Sequence, residues 1–273
     1  MLRLLFVFSG ILCISACSNN NVNEDAALKK YFDEYKVTGS FGLFDNGHGQ
    51  FTIYDLPKFS DSTYLPASTF KIVNSLIGLE TGVVRDDSAV IEWNGIPSSR
   101  ALCDSNLTMR EAFRRSCVPW YRELARRIGE KNMQRYLDSL GYAGKGGRFQ
   151  IKNNLDTFWL SNAAKVTGDE QLGLVKKLYF EKLPFQKRAQ SIVKKMMLWE
   201  NNTSYQLAYK TGMGTTSKGT TIGWVIGWIE ENQHPYFFSL MVESPDAAAD
   251  IPTIRMNILK NILKQYGFME GKK

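Results

Sequence analysis

The amino-acid sequence predicts an α+β fold, because strand-like and helix-like patterns occupy different parts of the chain. Three late segments alternate with the period of two that is typical of strands: 206–211, 220–230 and 236–243. Residues 83–163 carry few strand signals and have mainly helical or loop patterns. Since the joins between the late strands are short, these strands should be antiparallel neighbours. We therefore expect an antiparallel sheet flanked by the terminal helices, with a mostly helical lobe inserted.

The first elements of the chain are predicted to extend this sheet and to cover it. Residues 25–35 have helical spacing, with charged flanks. Residues 41–44 and 50–54 lie on either side of Asn46-Gly47, which is a strong hairpin signal. We expect this hairpin to pair with the late strands.

The remaining helices decide how the two lobes are arranged. The clearest helical runs are 107–129, 131–140, 169–179, 184–199 and 252–266. We expect the terminal helices to cover one face of the sheet and the central helices to cover the other. The functional site should then lie between the lobes, beside an edge of the sheet.

Residues 1–17 have the pattern of a secretory signal, with Arg3 before an apolar run that is too short to span a membrane. The signal ends in Ile14-Ser15-Ala16-Cys17, which resembles a bacterial lipobox. That resemblance implies cleavage before Cys17 and a diacylglycerol on its sulfur; the alternative is an ordinary signal peptide. Residues 18–24 are predicted to be a polar tether, and 25–273 a single two-lobed domain. We expect an exported, periplasmic protein that is anchored to a membrane by lipid alone.

The net charge is +7, and the lysines are spread along the chain. Dispersed lysines are typical of a solvated surface with a mild attraction for anionic small molecules. We therefore expect no nucleic-acid partner. The sequence leaves the oligomeric state open between a monomer and a dimer.

The cysteines and histidines limit the chemistry. Cys103 and Cys117 lie beyond the signal, and either a disulfide or two buried thiols is compatible with an oxidising compartment. The chain has only two histidines, His48 and His234, and both lie in turn-like segments. This scarcity counts against a Ser-His-Asp triad and against a multi-histidine metal site, so we expect no metal.

Residues 66–79 are predicted to form a helix with a nucleophile in its first turn. Ser68 and Lys71 are three residues apart, so their side chains share a face of the helix. A serine hydroxyl needs a neighbouring base to take its proton, and a lysine or its derivative can do so. The free N–H groups of the first turn could also donate to a developing oxyanion.

Three motifs in this order are specific: Ser68-x-x-Lys71, Ser116-Cys117-Val118 and Lys210-Thr211-Gly212. With them the chain resembles the penicillin-recognising serine enzymes, and most closely the class D, oxacillinase-type β-lactamases. The flanking segments that match this family are 66–72, 116–119, 158–160 and 223–228. The resemblance covers roughly residues 25–268.

The resemblance implies hydrolysis of the β-lactam amide of penicillins through an acyl-enzyme on Ser68. The backbone N–H groups of Ser68 and Met213 would form the oxyanion hole. Lys71 would be N-carboxylated by carbon dioxide, since an amine that is neutral in an apolar pocket can add it. The carbamate would be the general base for acylation and deacylation, and no other cofactor is implied.

Further roles follow from the same resemblance. Val118 would keep the lysine pocket apolar, and Trp159 would donate its indole N–H to the carbamate. Ser116 would relay a proton to the leaving lactam nitrogen.

The implied substrate-binding residues lie late in the chain. Lys210, Thr211 and Gly212 would face the substrate along a strand, with Arg255 as a bidentate partner of the substrate carboxylate. One segment departs from the family, which usually has Tyr-Gly-Asn where this chain has Tyr142-Ala143-Gly144. Tyr142 is therefore left out of the catalytic set.

Two alternatives share the motifs. A D,D-transpeptidase or carboxypeptidase would acylate and turn over poorly, but it would carry Asn in place of Val118. A penicillin-binding sensor domain would hang from a multi-helix membrane segment, whereas this chain has only the lipobox pattern. The preference among oxacillin, cephalosporins and carbapenems cannot be read from the motifs.

Overall fold

The computed structural model describes residues 21–141, 147 and 149–273. Seven strands of these residues form one sheet: β1 (Val22–Glu24), β2 (Thr38–Asp45), β3 (Gln50–Tyr54), β6 (Leu198–Asn201), β7 (Gln206–Thr215), β8 (Thr221–Glu231) and β9 (His234–Ser244). The strand order is β1-β3-β2-β9-β8-β7-β6, and every pair except β1–β3 is antiparallel. Two short strands, β4 (Val90–Ile91) and β5 (Leu107–Thr108), pair separately.

The described helices follow the predicted pattern of a helical lobe between sheet strands. They are α1 (Lys29–Glu34), α2 (Leu56–Ser60), α3 (Lys71–Glu80), α4 (Met109–Arg115), α5 (Val118–Ile128), α6 (Glu130–Leu140), α7 (Gly168–Tyr179), α8 (Lys187–Met197) and α9 (Ile251–Gln265). Short 3₁₀ turns occupy Ala26–Leu28, Ala67–Phe70 and Ala101–Cys103. None of the helices in the described ranges is both long and apolar enough to cross a bilayer.

The predicted α+β fold is confirmed, and so are the two covered faces of the sheet. Successive residues of a strand point to opposite faces, so Val225 and Trp224 belong to different cores. Val225 packs with residues of α1 and α9, such as Phe32 and Leu259. Trp224 packs with the central helices, which include α3.

The tether predicted for 18–24 is wrong at its end, because residues 22–24 form strand β1. Val22 pairs with Phe51 and Glu24 with Ile53, in parallel. The Asn21 side-chain amide also donates to the carbonyl oxygen of Gly49 at 3.0 Å. Backbone N–H and C=O groups pair whatever the side chain, so a polar segment can cover the free edge of β3.

The edge of β7 explains where the site lies. Strand β6 pairs only with the first part of β7, from Asn201↔Gln206 to Leu198↔Ala208. Among the described strands, none pairs with this side of β7 beyond Ala208. This free edge is the kind of place that was predicted for the site, and β7 runs to Thr215, beyond its predicted end at 211.

The helix predicted over 107–129 is interrupted at Ser116. Helix α4 ends there because Ser116 adopts the left-handed conformation, with φ 58° and ψ 39°. Helix α5 restarts at Val118, and Pro119 in its first turn has no N–H to continue a helix from α4. The interruption places Ser116 on a turn between two helices.

Candidate active site

Ser68 and Lys71 meet where a 3₁₀ turn enters helix α3. The turn covers Ala67–Phe70, and the Nζ of Lys71 lies 2.8 Å from the Oγ of Ser68. Lys71 is fully buried, whereas Ser68 is partly exposed. The hydroxyl is therefore open to a substrate while the amine behind it is shielded from water.

Contacts from several elements fix the turn. Ala67 has a positive φ of 50°, and its N–H donates to the Trp159 carbonyl oxygen at 3.0 Å. The Thr69 hydroxyl donates to Pro66 at 2.7 Å and accepts from the Gln171 amide at 2.7 Å. A non-glycine residue in the left-handed region costs free energy, so such a conformation persists where surrounding contacts hold it.

The pocket of Lys71 is apolar apart from its hydroxyl neighbours. The amine lies 5.3 Å from the ring centroid of Tyr121, whose hydroxyl bonds that of Ser75 at 2.8 Å. Burial, with a smaller contribution from the positive charge of Arg100, lowers the pKa of Lys71 to about 7. A large fraction of the amine is thus neutral at neutral pH.

Trp159 packs against the 3₁₀ turn that precedes Lys71. Its ring is fully buried and stacks on Phe70 with centroids 5.3 Å apart. Its Nε1 donates to no acceptor among the described residues. A buried donor without an acceptor costs free energy, so this N–H is suited to an acceptor that enters the pocket.

Ser116 and Lys210 connect the helical lobe to strand β7. The Nζ of Lys210 donates to the Ser116 Oγ at 3.1 Å and to the Thr211 carbonyl oxygen at 3.0 Å. Burial first, and then the charges of Lys71 and other nearby cations, holds the pKa of Lys210 well below its ordinary value.

A disulfide joins Cys103 to Cys117, which directly follows Ser116. The sequence had left open whether these cysteines form a disulfide or remain two buried thiols, and the structure shows the disulfide. The bridge ties the segment before β5 to the turn that carries Ser116.

Gly212 allows β7 to approach the nucleophile. A Cβ built on Gly212 would lie 2.9 Å from the carbonyl oxygen of Pro66. Only glycine fits so close a contact with the backbone of the 3₁₀ turn. The next residue, Met213, is 50% exposed, so it lies at the open side of the site.

Arg255 supports β7 from helix α9. A guanidinium nitrogen of Arg255 donates to the Gly212 carbonyl oxygen, and its Nε has no acceptor within the described residues. Burial lowers the pKa of Arg255 to about 10, so the group stays cationic at neutral pH. It can therefore attract a carboxylate.

Comparison with known proteins finds relatives that match nearly the whole described chain. The family described as "Penicillin binding protein transpeptidase domain" matches residues 22–264. "Beta-lactamase OXA-48" of Klebsiella pneumoniae is 35% identical, over 97% of this chain and 96% of its own length. "Probable beta-lactamase YbxI" of Bacillus subtilis is 37% identical, over 87% of this chain and 84% of its own.

The crystal structure of FUS-1 (OXA-85), a class D β-lactamase from Fusobacterium nucleatum subsp. polymorphum, has a TM-score of 0.84 with 30% identity. The match covers 91% of this chain and 100% of that chain. This chain belongs to the class D β-lactamases. It is accordingly a serine enzyme of β-lactam hydrolysis.

In this class D β-lactamase, direct contacts join most of the predicted site residues. Ser68 bonds Lys71, Ser116 bonds Lys210, and Gly212 bonds Arg255. Trp159 contacts the turn through Phe70 and Ala67, as described above. Val118 is the first residue of α5 and lines a cavity beside the site. Tyr142-Ala143-Gly144 lies outside the described residues.

Sequence reasoning missed two residues that the fold of this class D β-lactamase brings to the site. Tyr121 follows Val118 by one helical turn, a spacing that could have identified it as a second wall of the lysine pocket. Arg100 lies in a loop without a motif, and no sequence signal identifies it. Its charge lowers the pKa of both Lys71 and Lys210.

Proposed function

We propose that this class D β-lactamase opens the lactam ring through an acyl-enzyme on Ser68, with N-carboxylated Lys71 as the general base for acylation and deacylation. The observation that carries the proposal is the fully buried amine of Lys71, which lies 2.8 Å from the Ser68 hydroxyl. Because burial lowers its pKa to about 7, the amine is neutral often enough to add carbon dioxide.

The residues around Lys71 fit a carbamate. A carbamate would supply a negatively charged base beside the serine. Trp159 has a buried N–H without an acceptor, and it stacks on Phe70 directly before the lysine. No described carboxylate forms an ion pair with Lys71, so none would compete for the positive form of the amine.

Other side chains of the site would attack the lactam, transfer a proton and bind the substrate. The Ser68 hydroxyl would attack the lactam carbonyl, whose oxygen would accept from the N–H groups of Ser68 and Met213. The Ser116 hydroxyl accepts a hydrogen bond from the amine of Lys210, so it is suited to pass a proton to the leaving nitrogen. Lys210, Thr211 and Arg255 would hold the substrate carboxylate.

The test measures turnover of a chromogenic cephalosporin by the purified full chain, with and without added bicarbonate. We expect sustained turnover that rises with bicarbonate, and a carbamate signal from ¹³C-bicarbonate in the NMR spectrum. A single stoichiometric burst that then stops would instead indicate a penicillin-binding sensor or transpeptidase-like protein. Turnover that does not change with bicarbonate would contradict the carboxylation of Lys71.

Trp159→Phe sharpens this test, because it keeps an aromatic ring and removes only the N–H. We expect the bicarbonate concentration for half-activation to rise about tenfold, as for a lost hydrogen bond to a charged group. Trp120→Phe is the matched control, since its Nε1 already donates to the Leu107 carbonyl oxygen at 2.9 Å. An equal shift in both variants would contradict a specific role of Trp159.

We also propose that the protein is exported, periplasmic and anchored to a membrane through lipid on Cys17. The support is the signal and lipobox pattern of the sequence. Cys17 lies outside the described residues.

A further inference from the structure

A cavity of about 730 Å³ opens beside the active site at Val118. We call it the lateral cavity. One wall is the loop between β4 and β5, which presents Trp93 and Ile96 to solvent with exposures of 38% and 67%. The other wall is the start of α5. A cavity that reaches Val118 and has exposed apolar groups is suited to part of a substrate.

Four arginines line the lateral cavity, and three of them are neutralised by carboxylates. Arg122 and Arg126 share Asp156, at 2.9 and 2.5 Å. Arg127 pairs with Glu123 at 2.9 Å. These pairs leave little charge for a ligand.

Arg100 is the fourth arginine of the lateral cavity, and it differs from the others. It is exposed, and its guanidinium forms no ion pair with any described residue. Glu92 also lines the cavity but makes no ion pair with it. Arg100 therefore offers a positive charge that the described part of the chain does not compensate.

Local contacts hold Arg100 at a defined place. The Ser98 hydroxyl donates to the Arg100 carbonyl oxygen at 3.0 Å, and the Cys103 N–H donates to the same oxygen at 2.8 Å. Cys103 is covalently joined to Cys117, next to Ser116. The backbone that carries Arg100 is thus connected to the catalytic turn.

Arg100 and Arg255 act at different sides of the site. The charge of Arg100 lowers the pKa of both Lys71 and Lys210, whereas of these two lysines Arg255 affects only Lys210. Arg255 bonds β7, where the carboxylate of the lactam nucleus would be held. Arg100 lies instead with Val118 on the wall of the lateral cavity.

We propose that Arg100 binds a carboxylate on the acyl side chain of the β-lactam, so that this enzyme favours penicillins with an acidic side chain. This inference rests on the proposed function, because it places the side chain of a substrate bound at Ser68. The apolar part of the side chain would contact Trp93 and Ile96, and its carboxylate would pair with the guanidinium.

The test compares benzylpenicillin with its α-carboxy derivative, which differ by one carboxylate. The rate constant for acylation of Ser68 is measured for both by mass spectrometry, so the readout does not require deacylation. In Arg100→Gln we expect the acylation rate constant of the acidic penicillin, divided by that of the neutral one, to fall about fivefold, as for the loss of one partly exposed ion pair. Any effect of Arg100 on Lys71 cancels in this ratio, since the same lysine serves both substrates.

Two variants and salt control the interpretation. Arg127→Gln removes a guanidinium from the same cavity, but one that Glu123 already neutralises, so the ratio should not change. Arg100→Lys should restore part of the preference, and high salt should weaken it in the unmodified chain.

The outcomes separate the two proposals. Acylation by both penicillins with an unchanged ratio in Arg100→Gln would overturn the role of Arg100 and leave the proposed function intact. An equal fall of the ratio in Arg127→Gln would also overturn it. Failure of both penicillins to acylate the unmodified chain would overturn the proposed function and this inference with it.

Discussion

Lys71 illustrates how one side chain acquires its chemistry from its surroundings. An ordinary lysine is protonated at neutral pH and cannot accept a proton. Here burial lowers the pKa to about 7, and the charge of Arg100 acts in the same direction. Both effects destabilise the ammonium form, because a charge loses solvation in an apolar pocket and is repelled by another positive charge.

The pH dependence of acylation should report this titration. The neutral amine is present above a pH of about 7 and is lost below it, so acylation should slow as the pH falls through this value. Well below it the rate should fall roughly tenfold per pH unit. Stopped-flow acylation by a chromogenic cephalosporin measures the profile.

Lys71→Arg is the control for this profile, because a guanidinium stays protonated and cannot add carbon dioxide. The Lys71→Arg variant should show no acylation at any pH from mildly acidic to neutral. A profile that stays flat from mildly acidic to neutral pH would contradict the assignment of Lys71 as the group that titrates.

At the scale of elements, the approach of β7 to the 3₁₀ turn brings the two halves of the site together. Lys210 reaches Ser116 from this strand, and Gly212 lies against Pro66. Because β6 ends early along β7, the strand edge beside the nucleophile stays free for a substrate amide. We therefore expect a substrate to bind along the part of β7 that β6 leaves unpaired.

Gly212→Ala tests this approach. The added Cβ would lie 2.9 Å from a backbone oxygen that cannot rotate away, so β7 must shift from the turn. We expect acylation to fall more than tenfold and the free energy of unfolding to fall by about 1–3 kcal/mol. Urea unfolding and acylation kinetics measure the two effects.

Gly173→Ala is the matched control, since a Cβ there meets no atom within 4 Å and Gly173 lies inside helix α7. This variant should be more stable by about 0.5–1 kcal/mol with unchanged acylation. If Gly212→Ala also left acylation unchanged and raised the stability, the close approach of β7 to the turn would not matter for acylation.

The disulfide gives a second prediction at this scale. It joins cysteines 14 residues apart. In the chain-entropy view, reducing a disulfide that closes a loop of this length should lower the free energy of unfolding by about 3 kcal/mol. Urea unfolding with and without dithiothreitol should show this difference. The double variant Cys103→Ala, Cys117→Ala should have the lower stability in both conditions, and an effect of the reductant on it would contradict the explanation.

At the scale of the whole molecule, two cores on opposite faces of one sheet hold the lobes together. The core with α1 and α9 joins the two ends of the described domain, because Phe32 and Leu259 lie in it. The core with the central helices contains α3, the helix that begins at Lys71. The site lies between elements that are distant in the chain.

The membrane anchor is a property of the whole chain and can be tested separately. Cys17→Ala should release the protein from membranes into the soluble fraction, because the lipid would have no sulfur to attach to. Cys13→Ala is the matched control, since this cysteine lies within the predicted signal and should have no effect. Membrane retention of Cys17→Ala would contradict the lipobox interpretation.

Local patterns predicted some elements well and others poorly. Strands β7, β8 and β9 have strong period-of-two patterns; β8 and β9 were predicted close to their bounds, and β7 was predicted from its first residue but too short. Strands β1 and β6 were missed because they are short and lie at the edges of the sheet, where pairing depends on the neighbour. The break at Ser116 was missed because apolar spacing continues across it, although Pro119 was a visible signal.

The sequence by itself determined the family and the order of the motifs, and it predicted Ser68, Lys71, Ser116 and Lys210 as site residues, because these signals lie in short contiguous segments. Only the tertiary structure decided that Cys103 and Cys117 are joined, that Lys71 is enclosed, that β7 has a free edge and that Arg100 lies beside the site. The physical reason is distance along the chain. Burial, pairing and electrostatic proximity arise between segments far apart in sequence, and no local periodicity encodes them.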